Sequence, residues 1–301
     1  LQRQENFGNM PLMKKILTIG IVQMRCDRGF DKNLAHAVKS IATLAKRGAD
    51  IVALPELFTG EYFCQTNNKK FFELAEKVPS GPTTEALAAA ARDAKVAIVG
   101  GSIFERVDTK KSVPEFYNTA LIFDERGKIV SKYRKIHIPN DLANYYGETL
   151  YFAKGDLGFP VAHLQAAPRT RGTKLAALIC YDQWFPEGAR AVAKKGAQII
   201  FYPTAIGWPV KQGRVLNSAE HEAWQTMQKS HAIANNAYVV AINRVGEEHN
   251  LHFWGTSFVA DPYGRILKKA GTEKEENFLV KIDLETIEQM RRDWPFLKQC
   301  L

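Results

Sequence analysis

The chain runs twice through the same order of short apolar segments and helix-length segments. Residues 16–24 read as a buried strand. Residues 33–46 then place Leu34, Val38, Ile41 and Ala45 at helical spacing and stop at Gly48. A second strand over 50–54 ends at Pro55, a helix starts at Pro82 and continues through an alanine-rich run to Lys95, and 96–100 is a third strand. Segments 117–123 and 128–133 flank Asp124-Glu125-Arg126-Gly127, a hairpin signal. The order then repeats with a strand over 174–179, a helix over 186–195 closed by Gly196, and a strand over 197–202 ending at Pro203. A helix over 218–235, a strand over 238–243 and a hairpin turning at Asp261-Pro262-Tyr263-Gly264 complete it. Two β-α-β-α-β units, each followed by a hairpin, predict one pseudo-symmetric α/β domain with helices outside two packed sheets. That domain is expected over 14–301, with a C-terminal tail from about 283, and residues 1–13 are expected to be a leader outside the core.

Such a fold needs a large core, and 301 residues of which 46% are hydrophobic supply one. The net charge of +9 raises the alternative of a basic binding protein. Its basic residues come in ones and twos (Lys69-Lys70, Lys110-Lys111, Lys194-Lys195), nearly always beside acids and with no aromatic-interleaved stripe, which argues against nucleic acid as a partner. No window reaches the length of a membrane span. Lys14-Lys15 and the apolar run after it resemble a short signal sequence, but Gln23 and Arg25 follow without a small-residue cleavage site. Cys26, Cys64, Cys180 and Cys300 are far apart and show no metal-ligand rhythm, which suits a reducing, cytoplasmic setting. His221 and His231 are ten residues apart, too far for an i, i+4 metal pair.

Three polar residues stand at the ends of apolar strands, where α/β folds place their chemistry. Glu56 follows Leu54-Pro55 in an apolar setting that suits a general base, although a loop carboxylate capping backbone amides reads the same way. Lys135 sits in Tyr133-Arg134-Lys135-Ile136-His137, which alone reads as a solvated basic turn. Cys180 ends the run Leu178-Ile179 at a strand-to-helix turn, where backbone N–H groups and the helix dipole are expected to lower a thiol pKa; the bland alternative is a buried inert cysteine.

Taken together, these segments resemble the nitrilase superfamily of carbon–nitrogen hydrolases, in which a Glu-Lys-Cys triad sits on a four-layer α-β-β-α sandwich. Glu56 falls in the Pro-Glu-Leu segment, Lys135 in Tyr-Arg-Lys-x-His and Cys180 in Ile-Cys-Tyr-Asp, and the likeness extends over about 16–282. A second family glutamate matches Glu148, in Gly147-Glu148-Thr149-Leu150. The resemblance implies that Cys180 attacks, that Glu56 moves protons, and that Lys135 with the Tyr181 N–H stabilises an oxyanion, with no metal or organic cofactor.

Around the triad, Tyr62-Phe63-Cys64-Gln65 and the segments 180–187 and 202–208 resemble the branch that hydrolyses N-carbamoylputrescine to putrescine, carbon dioxide and ammonia. Acid-specific relatives carry an arginine just after the nucleophile; here Asp182, Gln183 and Trp184 follow, and the next arginine is Arg190. A cationic carbamoyl amine is therefore the expected substrate, with a ureido acid or ω-amide as the alternative. Tyr62, Tyr181, Asp182, Trp184, Glu187, Thr204 and Trp208 are the expected substrate-binding residues, and Asp182, Glu187 or Glu61 the expected partner of the distal ammonium. The superfamily also implies a homo-oligomer.

Overall fold

The computed structural model describes residues 15–110 and 113–300, so the leader expected over 1–13 lies outside the described residues. In the first half, Ile16–Gln23, Ile51–Ala53 and Ala97–Val99 pair in parallel. Parallel neighbours need a crossover, which helices α1 (Phe30–Lys46) and α2 (Pro82–Ala94) provide. Glu276–Asp283 adds antiparallel to Ile16–Gln23, and Glu115–Phe123 adds to Ala97–Val99 while also pairing with Ile103–Val107 and Ile129–Arg134. The result is a seven-stranded sheet.

The second half repeats the plan. Lys174–Ala177, Ile199–Thr204 and Tyr238–Asn243 are parallel and joined through α3 (Pro186–Lys194) and α4 (Arg214–Asn235). Ala162–His163 borders them on one side and the hairpin Phe258–Ala260/Ile266–Lys269 on the other, giving a six-stranded sheet.

Strand alternation decides how the layers stack. Ile19, Ile21, Ile51 and Ala53 join a core that includes Leu175 and Ile199 of the second sheet, whereas Val52 and Ile98 pack on Ile41 and Leu44 of α1 and Leu87 and Ala91 of α2. The two sheets therefore face each other with helices outside, the α-β-β-α sandwich expected from the sequence. Three features differ. Helix α4 begins at Arg214 rather than at 218, because its first turn carries the exposed Val215 and Leu216 and so shows no apolar face. Gly207–Pro209, Val245–Glu248 and Leu251–Trp254 form a further three-stranded sheet that the sequence did not announce. The expected tail contains a helix not read from the sequence: α5 (Glu285–Asp293) follows the strand Glu276–Asp283 and buries Ile287 and Met290.

Candidate active site

Glu56 lies just past the carboxyl end of Ile51–Ala53, on a turn the sequence makes tight. Leu57 has φ +46°, a left-handed conformation that is strained for a branched side chain. Opposite it, Gly101 (φ +60°) comes so close that an added Cβ would stand 2.1 Å from the Pro55 carbonyl oxygen, so only glycine fits there. Lys135 follows Ile129–Arg134 directly and donates its N–H to the Asn118 carbonyl at 2.9 Å. Glu148 opens the 3-10 turn Glu148–Leu150. Cys180 opens another, Cys180–Trp184, at φ +42°.

Three of these side chains meet in a fully buried cluster. Lys135 Nζ donates to Glu56 Oε1 at 2.8 Å and to the Glu148 carboxylate, whose two oxygens both lie 2.7 Å away. Asn118 Nδ2 donates to the same Glu56 Oε1 at 2.8 Å, and the Tyr62 hydroxyl donates to Glu148 Oε1 at 2.8 Å. Among the described residues Glu56 Oε2 accepts no hydrogen bond. Cys180, 5% exposed, lies within the electrostatic reach of all three, and its Sγ is 3.8 Å from the Ala205 carbonyl oxygen.

Burial pushes the Cys180 thiol well above its ordinary pKa; the Glu56 charge adds to this and the Lys135 ammonium only opposes it. The lowered thiol pKa expected from the turn is thus corrected: desolvation outweighs the short turn's dipole. The resting sulfur is a thiol that needs a base. Burial would lower Lys135, but the carboxylates of Glu148 and Glu56 outweigh it and hold the ammonium well above the usual lysine range. Burial also raises Glu148, to about 7, against the pull of Lys135.

The expected substrate-binding residues fall in different places. Asp182 is tied into the loops around Cys180: its Oδ2 accepts from Ile179 N and the Tyr133 hydroxyl at 2.8 Å, and its Oδ1 lies 2.8 Å from His137 Nδ1. With no exposure and these partners, it braces the site and is not free to meet an ammonium, which corrects the sequence reading. Tyr62 spends its hydroxyl on Glu148, behind Lys135. Thr204 bonds back to the Tyr202 carbonyl at 2.8 Å, and its own carbonyl accepts from Glu56 N at 3.4 Å. Trp184 packs half-buried on the central core, Tyr181 is 36% exposed beside the Phe185 ring, and Glu187 is exposed in the first turn of α3. Trp208 is half-buried against Trp254, with its indole N–H on the Asn217 carbonyl at 2.9 Å. Glu61 pairs with Arg28 and His249 at the edge of a separate cavity of about 600 Å3, which none of Glu56, Lys135, Glu148 and Cys180 lines.

Sequence reasoning missed Asn118, Tyr146, Arg244 and Glu248. Asn118 was visible as a lone amide in an apolar strand, and Arg244 as a charge just beyond another, but their partners are 62 and 188 positions away. Among the described residues no group of three or more His, Cys, Asp and Glu side chains is arranged to hold a metal.

The model of the carbon–nitrogen hydrolase family matches residues 18–292. An N-carbamoylputrescine amidase of Solanum lycopersicum is 35% identical over 288 residues, covering 93% of this chain and 90% of its own length. A citrullinase of Francisella tularensis is 33% identical and covers 92% and 93%. A carbon–nitrogen hydrolase structure from Helicobacter pylori G27 superposes with a TM-score of 0.86 at 35% identity over 95% of both chains.

Proposed function

Since the chain belongs to the carbon–nitrogen hydrolase family, and so hydrolyses a C–N bond, we propose that its substrate is a carbamoyl amine with a positively charged far end, N-carbamoylputrescine being the leading candidate. The observation that carries the chemistry is the buried Glu56–Lys135–Glu148 cluster, in which one oxygen of Glu56 is left without a donor.

Glu56 takes the Cys180 proton as sulfur bonds to the carbamoyl carbon. Lys135 and the Tyr181 N–H hold the oxyanion, each such donor being worth about 2.7–4 kcal/mol. The proton passes to the departing nitrogen, ammonia leaves, and a thiocarbamate remains on Cys180. Water, deprotonated by Glu56, cleaves it to a carbamic acid that loses carbon dioxide and frees the amine. Glu148 keeps Lys135 in place throughout.

The residues after Cys180 support a cationic substrate. No arginine lies between Cys180 and Arg190 to fork onto a carboxylate. With Asp182 and Glu61 occupied elsewhere, Glu220 of α4 is the acid we assign to the ammonium. It accepts from Gln212 Nε2 at 2.7 Å, and its charge reaches the phenol of Tyr146, which feels Cys180 and Glu56 as well.

Ammonia release from N-carbamoylputrescine and N-carbamoyl-β-alanine tests the assignment. The amine is expected to lead in kcat/KM by about a hundredfold or more, since an unpaired buried charge costs several kcal/mol. Glu220→Gln should raise KM for the amine and spare kcat, and Cys180→Ala should abolish turnover. Equal rates on the two compounds would favour a ureido acid or ω-amide instead, whereas an active Cys180→Ala would remove the nucleophile.

A further inference from the structure

The turn that carries Glu56 is gripped from behind by a buried ion pair. Arg244, fully buried just beyond the strand Tyr238–Asn243, donates from Nη2 to the main-chain carbonyls of Glu56 and Leu57, both at 2.8 Å. Its Nη1 donates to the Gly60 carbonyl at 3.1 Å and to Glu248 at 2.8 Å. Glu248 Oε2 in turn accepts the main-chain N–H of Tyr62 at 2.6 Å, and the Tyr62 hydroxyl is the donor on Glu148. One guanidinium and one carboxylate thereby reach both acids that hold Lys135: Glu56 through its own backbone, Glu148 through Tyr62.

We propose that Arg244, with Glu248, is a positioning residue for catalysis: it fixes the strained Glu56–Leu57 turn so that the free oxygen of Glu56 stands where the Cys180 proton must go. The inference rests on Glu56 being the base. Three facts converge on it. Leu57 at φ +46° persists only if its surroundings over-determine it, and Arg244 binds the carbonyls on both sides of that residue's N–H, which the Ser102 hydroxyl takes at 3.1 Å. Stability gives little reason for such a pair, because a buried ion pair replaced by apolar groups of like volume is often neutral or better. Finally, the guanidinium's fork lets one side chain hold two carbonyls at once, which a lysine ammonium on a flexible stem does not reproduce.

The test compares Arg244→Lys, Glu248→Gln and Glu56→Gln with the wild-type protein, using ammonia release from N-carbamoylputrescine together with far-UV circular dichroism and thermal midpoints. Arg244→Lys keeps the charge beside Glu248 but reaches one carbonyl at most. It is expected to lower kcat about a hundredfold with KM within about threefold, the signature of a misplaced reacting group and not of lost binding. Glu248→Gln, which leaves Arg244 in place without its anchor, is expected to lower kcat about tenfold in the same way. A purely structural role would lower the midpoint and leave kcat per folded molecule unchanged. Should Arg244→Lys fail to fold, Glu248→Gln decides by the same split. If the folded variants keep kcat within about threefold of wild type while Glu56→Gln is inert, this inference falls and the base assignment stands. An active Glu56→Gln overturns the base assignment and this inference with it.

Discussion

Burial and neighbouring charge set the protonation of this site residue by residue: burial governs the thiol, and the carboxylates overcome it at the lysine. Cys180 is held as a thiol and Lys135 as an ammonium, so the charge on Glu148 is what the cluster gains or loses near neutrality. Burial raises Glu148 from the ordinary 4.5 to about 7. As pH falls through that value Glu148 takes up a proton, and Lys135 loses the charge of the carboxylate that accepts two of its hydrogen bonds. The acidic limb of kcat/KM should therefore have its midpoint near 7, measured by ammonia release across a pH series. A rate that stays level two units below that point would remove Glu148 from the essential ionisations. Stability runs the opposite way: a raised folded pKa contributes stability that is present below 4.5 and lost as pH rises through about 7. Glu56, Lys135 and Cys180 each carry a bland reading alone and stand out only through their three motifs taken together; the structure brings the Glu56 and Lys135 side chains into contact across 79 positions. Asp182 was misplaced because adjacency to Cys180 says nothing about which way a side chain leaves a 3-10 turn.

Asp182 shows its importance at the scale of elements, where it ties two loops that only the fold brings together. Its carboxylate accepts from Ile179 N at the Cys180 turn and from the Tyr133 hydroxyl and His137 N on either side of Lys135. Asp182→Asn keeps the shape but turns one oxygen into a donor that faces donors. The expected cost is about 3 kcal/mol, read by urea unfolding, together with a fall in kcat at temperatures where the variant is folded. Unchanged stability would mean that the turn and the lysine loop hold themselves. Local signals serve the elements that they close: Asp124 accepts from the backbone of Arg126 and Lys128, and Gly127 takes φ +78°, so the hairpin between 117–123 and 128–133 could be read directly. Gly207–Pro209 pairs with Leu251–Trp254 more than forty positions away, which no local signal announces, and the tight turn from Val245–Glu248 to Leu251–Trp254 puts His249 at φ +55° with no glycine to mark it.

For the molecule as a whole, the decisive crossing is made by the last strand. Glu276–Asp283 leaves the hairpin of the second sheet and pairs along all of Ile16–Gln23 in the first, so the two halves of the pseudo-symmetric plan share one closing element. Gln23 reinforces the join from the other side, donating to the carbonyls of Gly271 and Lys274 and accepting from Ser257. Among the described residues no helix is long and apolar enough to cross a membrane, and the apolar residues of α5 are instead directed into this core. Ile287 and Met290 are fully buried, Ile287 in the central cluster with Leu284 and Ile282. If α5 locks the closing strand, Ile287→Ala and Met290→Ala should each cost about 2–5 kcal/mol, because the enclosing elements cannot collapse fully on the cavity left behind. Helix α5 supplies no side chain to the Glu56–Lys135–Glu148 cluster, so KM and kcat of the folded variants should match the wild type. A urea midpoint indistinguishable from wild type in both would mean that α5 does not lock the closing strand.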